Sequence, residues 1–510
     1  MKLAIAKTVG LAALSYLGAA QALAQAPSND SLNERLNELD QKIRVVERLN
    51  EIQQEEAKAA AAKAPKVSAG EGGLGLSSAD GAYSIKLRAF GQLQSVHFLS
   101  NATPVSNTAV SPNVTANGPT TNAFAIKRLQ PDIGGNLGKS FEYRVHLNLA
   151  AGTVDPLDVN LDWKILPEFS VRVGKFKPPT GLERLISSPR APFIEGSFVT
   201  ALQPNRDLGV QVFGSIGEGL LEYQAGLFNG ARDGQNNTGD NNDDKDVLAR
   251  VFSHPFARSG IEPLAGFGLG VAGSYGHHDQ YPAVNANVVT ATSGTANTPS
   301  LTASPTVIAV TPSSLASYGT GRQTVFSYAS QDTSSGNVIR VSPQAYWYYG
   351  PFGLIAEYTQ TTQDIRRATF SEELTHSAWA VTASWFLTGE KNAYRTIKVK
   401  KANTFPKFDG LGAVELLARV HALEIDDKAF DSLAVNRTVR FADPSRQVTA
   451  ALGYGAAVKW YLNSNVLIFG GYEYTGFTGG SGTAAATGTD PVVKDREAEQ
   501  VVSLSANFSF

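Results

Sequence analysis

The sequence predicts an all-β fold: a 16-stranded antiparallel transmembrane β-barrel preceded by a short N-terminal coiled-coil helix. Three observations lead there. From Tyr83 to Phe510 the dominant apolar period is two. The connections between these segments alternate between short and long. No segment beyond residue 24 offers the ~18 uninterrupted apolar residues of a spanning helix.

Residues 1–24 read as a secretory signal. Lys2 and Lys7 form a charged start, Val9 to Leu17 a short apolar run, and Ala22-Leu23-Ala24 a small-residue cleavage site, so the mature chain is expected from Gln25. The run is too short for a membrane anchor. The chain has no cysteine, which excludes a disulfide framework and thiolate metal sites. Its 44 Lys and Arg against 46 Asp and Glu give a formal net charge of −2, so net charge does not point to nucleic acid. Its 48 glycines, 25 phenylalanines and 17 tyrosines suit tight turns and an interfacial aromatic girdle.

Residues 25–56 are expected to form a periplasmic coiled-coil helix. Leu32, Leu36, Leu39, Ile43 and Val46 follow the 4-3-4-3 spacing of a coiled-coil seam, and Asn50 takes the next seam position. Such a helix either associates with copies of itself or docks singly on the barrel end. Residues 57–82, rich in Ala, Lys and Gly, read as a linker.

Residues 83–510 are the expected barrel. Phe141, Tyr143, Val145, Leu147 and Leu149 alternate with Glu142, Arg144, His146 and Asn148. Leu157, Val159, Leu161, Trp163 and Ile165 alternate with Asp158, Asn160, Asp162 and Lys164. A helix would scatter these charges around its surface, whereas a strand collects them on one face. Sixteen such segments start near Tyr83, Asn122, Phe141, Leu157, Phe169, Leu208, Leu220, Val247, Phe267, Val338, Phe352, Ser377, Leu411, Thr449, Val466 and Glu499. Short turns on one side and mostly long loops on the other match an outer-membrane barrel with its short side periplasmic. The chain closes on Val502, Leu504, Ala506, Phe508 and Phe510, which resembles the terminal signature of inserted outer-membrane proteins.

Two basic stretches are candidates for a pore. Val171 to Arg206 carries Arg172, Lys175, Lys177, Arg184, Arg190 and Arg206 against Glu183 and Glu195, a local cationic excess that suits an anion. Pro178-Pro179 ends the strand and opens a long loop, expected to fold into the lumen as its constriction. The second stretch, Thr388 to Gly410, is long although it lies on the short-turn side. It carries Lys391, Arg395, Lys398, Lys400, Lys401 and Lys407 against Glu390 and Asp409. It reads equally as a solvated basic turn or as a cationic segment entering the lumen from below.

Other chemistry has little support. His277-His278-Asp279 opens a long Ala/Ser/Thr-rich loop, and Asp240, Asp243, Asp244 and Asp246 lack EF-hand spacing, so no metal site is expected. VGKFKPPTGLER lacks the upstream glycine of a P-loop. Seven scattered histidines offer no catalytic triad, and neither enzyme activity nor a cofactor is expected.

VGKFKPPTGLERLISS, LEYQAGLFNG with the later DVLARVFSHPF, FLTGEKNAY, GAVELLARV and VKWYLNSNV resemble, in the same order, the phosphate-selective porin O/P family. The resemblance covers the barrel. It implies a homotrimer of sixteen-strand barrels in the outer membrane of a Gram-negative bacterium, in contact with lipid, whose inward loop and long periplasmic turn form a cationic pore for phosphate or related inorganic anions. It also implies a constriction role for the pair Lys127-Arg128, and for a basic residue of the inward loop, Arg184 or Arg190. Gln92 stands where the resemblance leads one to expect a basic residue, which argues against tight phosphate binding. The expected upper and central site is thus Lys127, Arg128, Lys175, Lys177, Arg184, Arg190 and Arg206, and the lower site Lys391, Arg395, Lys398, Lys400 and Lys401. A general porin of little selectivity, and an adhesin or structural barrel using His277 to Asn337, remain as alternatives.

Overall fold

A computed structural model describes residues 29–70, 72–99, 122–150, 154–239, 243–281, 325–326, 328, 332–367, 369–403, 410–433, 440–481 and 494–510. The expected signal segment, the loop 100–121, most of the Ala/Ser/Thr-rich loop, Asp240 and Lys407 lie outside these residues. The chain divides into two units, residues 1–64 and 65–510.

In the first unit, helix α1 (Asn29–Lys63) runs seven residues past the expected end at Glu56. Its extension is five alanines and two lysines, all strong helix formers, so composition that reads as a linker continues the helix instead. Leu36, Leu39, Ile43 and Val46 are more than half exposed along it.

The second unit opens with a hairpin, β1 (Lys66–Gly70) and β2 (Gly73–Ser77), within what reads as linker. β2 then pairs with the first barrel strand, Leu74 opposite Leu87. Sixteen antiparallel strands form the barrel: β3 (Ser84–Phe98), β4 (Ala123–Leu137), β5 (Phe141–Asn148), β6 (Asp155–Leu166), β7 (Phe169–Phe176), β8 (Asp207–Ile216), β9 (Leu221–Phe228), β10 (Asp246–Ser253), β11 (Phe267–Tyr281), β12 (Thr333–Tyr349), β13 (Phe352–Arg367), β14 (Phe370–Phe386), β15 (Ala413–Glu424), β16 (Val448–Tyr461), β17 (Val466–Gly479) and β18 (Glu499–Ser509). β18 pairs with β3, Val501 opposite Phe98 through Ser509 opposite Phe90, and the sheet closes without an edge. Closure satisfies every ladder position inside the bilayer, which an open sheet could not.

The outward rows are apolar. Rings gather at the short-turn ends: Phe141 stacks on Trp163 at 6.0 Å and Phe352 on Trp385 at 5.8 Å, and Phe169, Trp460 and Phe508 are exposed beside other turns. This is the girdle of a barrel at a lipid–water boundary. The turns there are tight, and Gly217-Glu218-Gly219 makes one with three consecutive positive φ angles of 63°, 52° and 97°. No helix among the described residues is long and apolar enough to cross a membrane.

The largest apolar cluster lies inside the barrel. Phe198, Val199 and Leu202 of the loop after β7 pack with Ile365, Leu374 and Leu423 of the wall and with Phe326, Phe430 and Phe441 of other loops. The opening is thereby left to the opposite wall, along β3 to β9.

Candidate permeation pathway

The inward rows of β3 to β7 hold most of the charge of these strands. Arg88 and Phe90 face inward from β3, Gln130 and Asp132 from β4, Glu142, Arg144 and His146 from β5, Asp158 and Asp162 from β6, and Arg172 and Phe176 from β7. They line an opening of about 870 Å³ together with Lys177, Arg206 and the loop residues Leu185, Ser187, Ser188 and Pro189.

The charges form a connected ladder. Arg88 meets Asp132 at 2.9 Å. Arg144 donates to both oxygens of Asp132, at 2.9 and 3.1 Å, and reaches Asp158 at 3.1 Å. Arg206 donates to Asp158 at 2.9 Å, and His146 Nδ1 lies 3.2 Å from the same carboxylate. Arg172 grips Asp162 in a fork at 2.7 and 2.6 Å, with Phe213 beneath its guanidinium at 5.1 Å. The side chains of Arg88, Arg144 and Arg172 are 46, 41 and 30 % exposed, whereas those of Asp132, Asp158 and Asp162 are 12, 6 and 4 % exposed. A solute in the opening therefore meets guanidinium, and the aspartates stand behind it.

The loop 177–206 does fold inward, and most of its basic residues, with their wall partners, hold it there. Lys127 is the extra residue of a bulge, since Arg128 faces Gln92 while Ile126 faces Leu93. The bulge re-aims Lys127 at Glu195 of the loop. Arg128 donates to Gln92 Oε1 at 2.5 Å and to the Ile194 carbonyl at 3.0 Å. Arg190 reaches both oxygens of Glu415 at 3.2 Å and donates to Asn392 Oδ1 at 2.8 Å. Burial works against its charge, but Glu415 more than offsets this and raises its pKa. Arg184 donates to the Gln203 carbonyl at 3.2 Å, and burial pushes its pKa down to about 10. Lys177 donates to the Ile186 carbonyl at 2.8 Å and borders the opening. Lys175 stands apart. Its register partners are Val159 and Leu208, it follows Gly174, whose φ of 122° breaks the alternation of β7, and it does not border the opening. It is buried there, and its Nζ has no hydrogen-bond partner among the described residues.

Residues 387–403, after β14, also enter. Tyr394 donates to the Leu182 carbonyl at 2.7 Å and stacks on Tyr346 at 5.2 Å, while Thr396 borders the opening. Ile397 and Val399 pack against Phe386, Ala413, Tyr461 and Leu467, which leaves the alternate residues Lys398 and Lys400 exposed. Lys400 donates to the Gly389 carbonyl, and Lys391 and Lys401 are exposed. Arg395 lies 3.7 Å from Glu222.

Wall residues that the sequence did not single out complete the arrangement. Arg419 donates to the Glu195 carbonyl at 2.9 Å and pairs with Glu473. Glu357 accepts from Gln203 at 2.6 Å and from the Glu183 amide at 3.0 Å. At the loop side, His278 pairs with Asp246 at 3.0 Å, and Asp246 lies 3.4 Å from Arg340. Among the described residues no three metal-binding side chains converge.

The model of the family "Phosphate-selective porin O and P" matches residues 108–287 and 317–484, more than half of the chain. The chain belongs to this family. It is an outer-membrane porin, and the ladder lines the opening inside its barrel. No curated protein matches it. The porin is similar to solved structures of OmpT from Vibrio cholerae in a trimer form (9 % identity, 84 % of this chain, 100 % of that one, TM-score 0.46). It is also similar to the anion-selective porin from Comamonas acidovorans (9 %, 84 %, 100 %, 0.45) and to the outer membrane channel DcaP of Acinetobacter baumannii (9 %, 84 %, 98 %, 0.48). These distant likenesses add nothing to what the closed sheet shows.

Proposed function

We propose that this porin is a passive, anion-preferring diffusion channel for phosphate or related oxyanions, working as a homotrimer with its N-terminal arm in the periplasm. The observation that carries the reading is the exposure of Arg88, Arg144 and Arg172 over the buried aspartates that hold them. An anion entering the opening loses water, and a guanidinium fork replaces it. Each fork is partly occupied by its aspartate, which weakens any one site. A series of weak sites suits conduction, because an anion bound too tightly would not leave.

Wall height supports the trimer. β5, β7, β9 and β10 have eight residues each, whereas β12 and β14 have seventeen. An eight-residue strand tilted near 45° rises about 19 Å, short of the ~25 Å apolar band of an outer-membrane barrel. The low wall fits a neighbouring protomer better than lipid.

The test is single-channel conductance in a planar bilayer with phosphate titrated into chloride. Block of the chloride current by phosphate supports an oxyanion site. Chloride preference without block leaves a generic anion porin. A general porin is the second reading, favoured by Glu142, which is 56 % exposed at the same opening.

A further inference from the structure

His146 is the one histidine among the described residues that line the opening. It stands on the inward row of β5, opposite Asp132 of β4 and Asp158 of β6. Its Nδ1 lies 3.2 Å from Asp158 Oδ2, the oxygen that Arg144 Nη1 reaches at 3.1 Å. Asp158 Oδ1 accepts from Arg206, and the charges of Lys177 and Lys175 act on the same carboxylate. Arg88 lies behind Asp132. Gln130 and Asn160, beside it on the lining, are neutral. Among the described residues nothing bonds to the second ring nitrogen, Nε2, and the imidazole borders the opening.

The contact with Asp158 decides what Nε2 shows to a solute. A carboxylate only accepts, so Nδ1 carries the hydrogen. In the neutral ring Nε2 is then a bare lone pair, which an oxyanion avoids. Protonation turns the same atom into a charged donor. One proton thus exchanges a repulsive acceptor for an attractive donor without any movement of the chain.

We propose that His146 is a specificity-determining residue of the channel, a proton-controlled rung that favours divalent over monovalent anions once it is protonated. Histidine is the side chain that changes charge around neutral pH, whereas the arginines of the ladder stay charged throughout. The added charge acts on each passing anion in proportion to the anion's own charge. For a charge about 6 Å away in a water-like medium the gain is about threefold for chloride and about tenfold for a divalent oxyanion. The proposal rests on the anion-preferring reading above and adds a condition to it: the preferred valence depends on pH.

The probe is sulfate, which stays divalent between about pH 5 and pH 8, a range in which phosphate itself changes charge. In planar bilayers sulfate should block the chloride current of the wild-type channel at about tenfold lower concentration at the acid end of this range, while chloride-over-potassium preference rises about threefold. His146→Gln should lack both changes, and His146→Arg should show the stronger block at both ends. Lys177 gains charge in the same direction, so Lys177→Gln is measured beside them and should keep the sulfate step. A step that survives in His146→Gln, or that Lys177→Gln abolishes, would overturn the proposal, as would equal gains for sulfate and chloride. Heat-modifiable migration shows that each variant barrel has folded. Cation preference at both ends, with a step that needs His146, would sink the anion reading and leave the proton-controlled rung standing. Anion preference without a step would do the reverse.

Discussion

Arg144 is the residue whose loss should cost the pore most selectivity, because it bridges Asp132 and Asp158 at the middle of the ladder. A unit charge about 6 Å from a passing ion in a water-like medium is worth roughly 0.7 kcal/mol, or about threefold. Arg144→Gln or Arg172→Gln should therefore lower the anion-to-cation permeability ratio about threefold, read as a reversal-potential shift toward zero. Asp162→Asn should act the other way. It frees the Arg172 fork, so phosphate should block chloride current at roughly threefold lower concentration by the same arithmetic. Lys177 brings a pH dependence. Burial, and then Arg206, sets its pKa well below the ordinary value. As pH rises through that lowered value the ammonium loses its charge, so anion preference should fall across that step, at a pH below the ordinary lysine range. Lys177→Gln should lack that step.

The inward loop behaves as a bolted element. Arg190 ties it to β15 through Glu415 and to the turn through Asn392, and Lys459 donates to the Ala191 carbonyl. Arg190→Ala leaves the buried Glu415 without its cation, with the Tyr461 hydroxyl still donating to it, and breaking a buried ion pair in this way costs about 3–5 kcal/mol. The expected result is a lower unfolding temperature and noisier single-channel current, while the reversal potential changes less than in Arg144→Gln. The strands were legible because period two is written in side-chain polarity. Most starts agree within two residues, but β12 and β14 begin five and seven residues early, where polar residues such as Ser371 and Thr375 extend the ladder without an apolar row. The pore was less legible. Arg172, Lys175 and Arg190 are close in the chain, but Lys175 is buried beside Gly174 without reaching the opening, and contacts commit Arg190 to Glu415. Arg88 and Asp132 lie far apart in sequence and meet only through β3–β4 pairing. Their signal was the charge on inward rows, which served to recognise strands and equally marked the channel.

On the scale of the molecule the barrel is uneven in two ways. Its lumen is filled by loops along β13 to β17 and open along β3 to β9. Its wall is low at β5, β7, β9 and β10 and tall over β11 to β14. The channel thus runs beside the low wall, and the proposed protomer contact lies behind the arginine ladder. Protein purified in mild detergent should have the mass of three chains, and charged substitutions on the outer row of β8, such as Val210→Glu, should release single barrels. Selectivity should survive that release, because the ladder belongs to one chain. The central claim is that exposed arginine outweighs buried aspartate in what a permeating ion feels. The reversal potential of the wild-type channel across a tenfold KCl gradient tests it most directly. The account predicts a potential of the sign set by chloride, and a potential at zero or of the sign set by potassium would contradict it.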